Sequence, residues 1–348
     1  MATEMKPRPP SRHSVPAEWR RWVAENKMLG LDAARLIATL VDHGIDRNAA
    51  EQELASLDDH PYFQAGNRMA QRLHKLHSLL DVYADLAGLR AAARFTAIER
   101  RSNVTREEFL ENYYAANRPL ILCGLMNDWR ACSVWSPDYF KATCGGETVE
   151  VMTERNADRR YELNASDHKS SMLFGDYIDW VTRQGRSNDR YLVANNNLLQ
   201  REGMKHLSRD IVVFPEYLDP GSVDGHAFLW FGPAGTVTPL HHDAMNILIA
   251  QVFGRKRVTL IPSGQIHRLY NDIGVYSEVD CERPDAARFP DFGSVPIQRF
   301  VLRPREVLFV PVGWWHHVRA LDVSVSVSFT NFVFPNSYQW RQPAVRRE

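Results

Sequence analysis

The segment from Thr238 to Lys256, TPLHHDAMNILIAQVFGRK, gathers several side chains that could do chemistry together. Residues two apart on a strand share a face. His241 and Asp243 would therefore point together, with His242 turned the other way. An imidazole beside a carboxylate supplies two of the three donors of a two-histidine, one-carboxylate facial triad, which holds a ferrous ion and leaves open positions for a co-substrate and dioxygen. The third donor must come from elsewhere in the chain. EVLFVPVGWWHHV offers it as His316 or His317, just beyond an apolar run and a Pro-Val-Gly turn. A lone His-x-Asp recurs by chance, and a lone buried histidine is usually a hydrogen-bonded core residue. The conjunction of the two segments favours the metal.

Lys256 follows Asp243 by thirteen residues, after the tight Phe253-Gly254-Arg255 turn. A dicarboxylate chelating a metal through one end needs a cation for the other, and such a charge-assisted pair is worth about 1.5–3 kcal/mol. Strand alternation turns Lys256 away from Arg255 and Arg257, so that one charge can point inward while two stay in water. Thr238 adds a hydroxyl three residues before His241.

These residues need a β framework, and the second part of the chain supplies one. Short β runs are expected at Pro119 to Cys123, Thr148 to Met152, Tyr191 to Val193, Ala227 to Phe231, Ile247 to Val252, Arg257 to Ile261, Glu306 to Val310 and Val323 to Phe329, separated by Gly, Pro, Asn and Asp. The last alternates Val and Ser strictly, one residue type per face. Many short strands predict a sandwich or barrel, preceded by a helix over Thr105 to Asn117.

Before Arg94 the pattern is helical. Asp32 caps a helix through Leu36, Ile37 and Leu40 to Gly44, and Asp46 caps a second through Ala50, Leu54 and Leu57. A longer helix is expected from Phe63 to Gly88. Its Met69, Leu73, Leu76, Leu80, Tyr83 and Ala87 recur at alternating steps of four and three, with Leu79 and Leu86 widening the stripe. That heptad face suits a second copy of the chain, giving a homodimer, as well as it suits the chain's own second domain.

The chain has 348 residues, 42 Lys+Arg against 42 Asp+Glu, and four cysteines. That length allows a large domain with a smaller companion. Zero net charge argues against broad electrostatic binding to nucleic acid or an anionic membrane. No apolar run is long enough to span a bilayer, and Met1 to Pro16 has no signal core. Cys123, Cys132, Cys144 and Cys281 show neither CxxC spacing nor disulfide-scaffold density, which points to a reducing, cytoplasmic setting. The expected organisation is a disordered tail over 1–16, a helical docking or dimerisation domain over 17–97, a catalytic domain over 98–335 and a tail over 336–348.

From Arg118 to Phe332 the sequence resembles the cupin-like Jumonji-C protein hydroxylases, which depend on Fe(II) and 2-oxoglutarate. The resemblance rests on NRPLILCGLMNDW, RYLVANN, WFGPAGTVTPLHHD, QVFGRK and VPVGWWHHV. It implies a double-stranded β-helix (cupin, jelly-roll) catalytic domain behind the helical one. Iron would be held by His241, Asp243 and His316, and the distal carboxylate of 2-oxoglutarate by Lys256, Thr238 and Tyr191. Many relatives carry an Asn four residues after the ligand Asp. Ile247 stands there in this chain, which leaves Asn246, Ser326, Ser328 and Asn331 as candidates for the chelating end. The implied activity is hydroxylation of an amino-acid side chain in a protein or peptide, with release of succinate and CO2. The alternatives are N-methyl-lysine demethylation by the same chemistry and a non-catalytic cupin binding module. Trp230 and Trp315, with Phe231 and Trp314, are candidates to wall the cavity or to fill core. Asn195 and Asn197 are candidates to hold a peptide or to shape a turn.

Overall fold

The computed structural model describes residues 14–92, 98–192, 197–271 and 274–339. Most of the two expected tails, together with Val193 and Asn195, lies outside the described residues. Two compact units divide at Tyr83/Ala84, inside a helix and not at the expected boundary near residue 97.

The first unit contains α1 (Ala17–Met28), α2 (Ala33–Asp42), α3 (Arg47–Asp58) and the start of α4 (Pro61–Ala92). The expected caps are present: the Asp32 carboxylate accepts from the Arg35 N–H at 2.9 Å and that of Asp46 from the Ala49 N–H at 3.1 Å. Each satisfies a donor that would otherwise lack an intrahelical partner, worth about 1 kcal/mol. Val23, Leu36, Leu40, Ala50 and Leu54 form a small core.

The second unit holds β1 (Arg100–Ser102), β2 (Leu120–Cys123), β3 (Thr148–Met152), β4 (Lys169–Leu173), β5 (Ala227–Gly232), β6 (Val237–His242), β7 (Ile247–Phe253), β8 (Lys256–Ile261), β9 (Gln298–Leu302), β10 (Glu306–Val310), β11 (Trp315–Ala320) and β12 (Ser324–Phe329). The larger sheet runs β1-β2-β10-β7-β12-β5 and the smaller one β6-β11-β8-β9, with β3-β4 as a separate ribbon. Alternation along the strands divides the apolar residues into layers. Ile121, Leu308 and Val310 of the larger sheet pack with Val258 and Leu260 of the smaller one. Outside the larger sheet, Leu248, Ala250, Val325, Val327 and Phe329 meet the helices Pro137–Cys144 and Phe174–Gln184. Leu240, Ile261 and Trp315 pack under the segment between β8 and β9. This is the double-stranded β-helix, with apolar layers between its sheets and outside them.

Three local features differ from expectation. The helix expected over Thr105 to Asn117 is a short turn, Arg106–Phe109, that widens into a π turn at Leu110–Tyr114. Tyr191 and Leu192 make isolated bridges to Met152 and Phe231 and form no full strand. On β12 the valines enter the outer core, but Ser324, Ser326 and Ser328 are buried as well. The Ser326 hydroxyl donates to Gln251 Oε1 at 2.7 Å, and Ser328 accepts from Trp230 Nε1 at 2.8 Å. Buried hydroxyls need such partners.

Candidate metal centre

His241 and His316 stand directly opposite each other on β6 and β11. Paired residues in a ladder share a face, and their ring centroids are 4.0 Å apart. Asp243 lies just beyond the end of β6. One donor atom from each of His241, Asp243 and His316 falls within 4.8 Å of the other two. His241 Nδ1 bonds the Pro239 carbonyl at 2.8 Å and His316 Nδ1 that of Trp314 at 3.1 Å. A carbonyl can only accept, so both Nδ1 atoms carry a proton and both Nε2 atoms are left to face the metal position. Burial, and then the neighbouring His241, push the His316 pKa down to about 3, which keeps that ring neutral. Its Nε2 is 3.5 Å from Asp243 Oδ2. A lone pair facing a carboxylate at that range is unfavourable unless a cation lies between them, so two imidazoles and one carboxylate fit a divalent ion.

Strand pairing also separates the two adjacent histidines of each HH pair. His317 pairs with Thr259 on the outer face, and burial pushes its pKa down to about 4. His242 stacks edge-on against Trp315, with centroids 4.7 Å apart.

Below the metal level the same inner face carries the polar groups suited to a dicarboxylate. On β11 the inward positions are His316, Val318 and Ala320, paired with His241, Thr238 and, on β8, Lys256. A regular strand would turn Thr238 and His241 to opposite faces. The pairing shifts register between His316 and Val318, and the resulting β-bulge at Pro239-Leu240 brings both inward. Tyr191 lies beside Thr238, and burial pushes its pKa up, so the phenol stays protonated as a donor.

Lys256 is only 6% exposed, whereas Arg255 reaches Asp322 at 2.7 Å and Arg257 reaches Glu282 at 3.7 Å at the surface. Gly254, at φ +69°, makes the turn; a Cβ there would come 2.2 Å from the Val323 carbonyl oxygen. Among the described residues no acid offsets the Lys256 charge, and burial alone lowers its pKa from 10.5 to about 7. A buried cation without an anion is costly by itself and attractive to one that arrives.

The remaining expected residues have other placements. Asn246 is corrected: its Oδ1 accepts from the Val312 N–H at 2.8 Å, and its Nδ2 donates to Asn336 at 3.0 Å and to the Tyr338 hydroxyl at 2.9 Å. Both N–H donors of that amide are taken, so it has none left for a co-substrate carboxylate, and it anchors Asn336, the first residue of the expected loose tail. Trp315 is corrected as well. It is fully buried in the outer core, because its neighbour His316 takes the inward position. Trp230 and Ser328 face the interior as a hydrogen-bonded pair. Asn197 is exposed at φ 49° before the 3-10 turn Leu198–Gln200.

Spacing had not pointed to Tyr276, Glu162 or Arg155. Tyr276 bridges to His241 across the outer edge of β6 and stacks on its ring, with centroids 5.3 Å apart. Its hydroxyl donates to Glu162 Oε2 at 3.3 Å, and Arg155 Nη2 donates to Glu162 at 3.0 Å and to the Val237 carbonyl at 2.7 Å. All three lie in loops, where hydropathy carries no period to reveal them. The same three residues help to line a cavity of about 840 Å³ beside β6.

Residues 105–335 match the cupin-like domain family. The chain is 34% identical over 241 residues to Lysine-specific demethylase 8 of Xenopus tropicalis, covering 67% of this chain and 52% of that protein. Identity to Lysine-specific demethylase JMJ30 of Arabidopsis thaliana is 33%, with 67% and 54% covered. For human HSPB1-associated protein 1 it is 26%, with 64% and 49% covered. The chain thus spans about half the length of the curated relatives it matches. The match takes in every strand of the barrel after β1, including both ligand-bearing strands, and on it the chain belongs to the cupin-like Jumonji-C family, whose metal is Fe(II) and whose co-substrate is 2-oxoglutarate.

Proposed function

We propose that the protein is an Fe(II)- and 2-oxoglutarate-dependent oxygenase that hydroxylates an amino-acid side chain of a protein or peptide. The observation that carries this reading is the unpaired, buried Lys256 on the same inner face as His241 and His316. A binding module would have no use for both a metal-ready triad and a desolvated cation two strand repeats below it, and would bear the cost of each for nothing.

His241, Asp243 and His316 would hold the metal. Bound Fe(II) would supply the oxidative decarboxylation of 2-oxoglutarate to succinate and CO2 that drives oxygen into a C–H bond. Lys256, Thr238 and Tyr191 would take the distal carboxylate through one charge-assisted and two neutral hydrogen bonds. Ile249, Val258, Leu260 and Val318 keep water from the interior, which strengthens those bonds. Tyr276 stacks on the His241 ring and would hold it in place.

Demethylation of N-methyl-lysine is a second reading, favoured by the names of the two relatives at 34% and 33% identity. Purified protein supplied with Fe(II) and 2-oxoglutarate should form succinate, and His241→Ala should not. Absence of succinate and of bound iron would end the proposal. With peptide libraries, a stable gain of one oxygen in the mass spectrum marks hydroxylation, whereas formaldehyde marks demethylation.

A further inference from the structure

Side chains from separate elements must converge if one carboxylate is to meet Lys256, Thr238 and Tyr191. Lys256 opens β8, which has a neighbouring strand on each side, but Thr238 lies on the outermost strand of the smaller sheet and Tyr191 in a segment held by isolated bridges. An edge strand leaves backbone groups without ladder partners, so other contacts must aim these two hydroxyls. Arg155 touches the supports of both. Its side chain is fully buried, and its guanidinium lies over the Tyr191 ring at 5.2 Å and over the Tyr161 ring at 4.2 Å. Nη2 donates to the carbonyl of Val237, the residue before Thr238, at 2.7 Å, and the Tyr161 hydroxyl donates to the same carbonyl at 3.1 Å. Nη1 donates to Asn188 Oδ1 at 3.1 Å, and that oxygen also accepts from the Val237 N–H at 2.8 Å. Both backbone groups of Val237 are thus tied down at the edge of the sheet. Gly232 on β5 completes the bed of the Tyr191 ring: a Cβ there would come 2.7 Å from Tyr191 Cδ2.

The charge of Arg155 is already balanced. Nη2 donates to Glu162 Oε1 at 3.0 Å, and Nη1 also reaches the Asn188 carbonyl at 3.4 Å, so every Nη hydrogen has an acceptor. Lys256 differs: no acid among the described residues offsets it, which suits it to take an arriving anion. Arg155 is suited to hold a frame, because a planar fork with fixed bonds and aromatic rings beside it has one geometry, which a flexible ammonium does not reproduce. We propose that Arg155 is a positioning residue for the co-substrate, an inference that rests on the reading of Lys256, Thr238 and Tyr191 as partners of the distal carboxylate. Arg155 holds the Tyr191 ring beside Gly232 and pins Val237, and so aims the Tyr191 and Thr238 hydroxyls at the point that Lys256 faces. Its link toward the metal runs through Glu162 to the Tyr276 hydroxyl, but it is the Tyr276 ring that stacks on His241. The effect therefore falls on 2-oxoglutarate and not on the ion.

The test is calorimetric titration of 2-oxoglutarate into the full chain loaded with redox-inert Mn(II). Arg155→Lys keeps a cation beside Glu162 but loses the fork, and Gly232→Ala displaces the Tyr191 ring while leaving Arg155 in place. Each should bind 2-oxoglutarate about 10-fold more weakly, the size expected for hydrogen bonds set out of line, with Mn(II) affinity in the absence of 2-oxoglutarate within about threefold of wild type. In a Tyr191→Phe, Thr238→Val background, Arg155→Lys should cost nothing further, because the groups it aims are gone. Asn188→Ala frees one end of the fork and the Val237 N–H at a partly buried site. It should show a smaller loss of the same kind, and it carries the test should Arg155→Lys not fold. Unchanged 2-oxoglutarate affinity in these variants, or an undiminished loss in the Tyr191→Phe, Thr238→Val background, would overturn the proposal and leave Arg155 a purely structural residue. A parallel loss of Mn(II) affinity would do the same. A wild type that binds Mn(II) but no 2-oxoglutarate would instead overturn the oxygenase reading, and this one with it.

Discussion

Replacing Lys256 by Met should act on stability and on co-substrate binding in opposite directions. Met matches lysine in length without the charge, so the packed volume is kept. Burial lowers the lysine pKa from 10.5 to about 7, a cost to the ligand-free fold of at most about 5 kcal/mol. The unfolded chain holds this proton up to the ordinary lysine range, whereas the folded chain releases it near pH 7. The unfolded state therefore binds more protons between these values, and wild-type stability rises with pH across that window. The penalty is full below about pH 7 and gone above about pH 10.5. With local relaxation and water entry, Lys256→Met should gain about 1–3 kcal/mol at pH 6–7, or roughly 3–10 °C in Tm. The gain should shrink as pH rises. Losing the charge-assisted pair should weaken 2-oxoglutarate binding about 10- to 150-fold. Thermal melts from pH 6 to 10, with and without 2-oxoglutarate in the presence of redox-inert Mn(II), read both effects. A variant that melts lower than wild type at pH 6–7 would refute the reasoning, because it would mean that Lys256 already has an anion within the fold.

Three further predictions follow from the site. Asp243→Ala and His316→Ala should each abolish the metal-induced rise in Tm and reduce succinate formation to background, while the metal-free melt stays within about 1 kcal/mol of wild type. Tyr276→Phe should retain the ring stacked on His241 and bind Co(II) nearly as wild type, whereas Tyr276→Ala should lose about 10- to 100-fold in affinity by titration; equal affinities would remove Tyr276 from any positioning role. Asn246→Ala should cost about 2–3 kcal/mol in urea denaturation, since it leaves buried partners unsatisfied, but should not change the KM for 2-oxoglutarate.

Local rules made the helical unit readable. Asp32 and Asp46 cap because their carboxylates meet free N–H groups within three residues, and an unbroken heptad marks α4 wherever it occurs. The strands with β-branched runs were readable too, as was the inward turn of Lys256 between two wet arginines. What stayed hidden depends on distant pairing. His316 meets His241 because β6 and β8 flank β11, a fact absent from its neighbours in the chain. Thr238 joins His241 through a bulge that strict alternation forbids. Tyr276 reaches the metal centre from a loop, and the partners that occupy Asn246 lie 66 to 92 residues away.

Two of the three donors ride on adjacent strands locked by a ladder, but Asp243 follows the last residue of β6 and keeps 35% of its side chain in contact with solvent. Its backbone is tied down by the Gly313 N–H at 3.0 Å, which leaves the carboxylate as the pliant corner of a stiff triangle. Ions should therefore come and go past Asp243 without the barrel opening. Exchange would then be timed by the short turn from 243 to 246, and a mutation that stiffens this turn should slow metal release while leaving both imidazoles where they are.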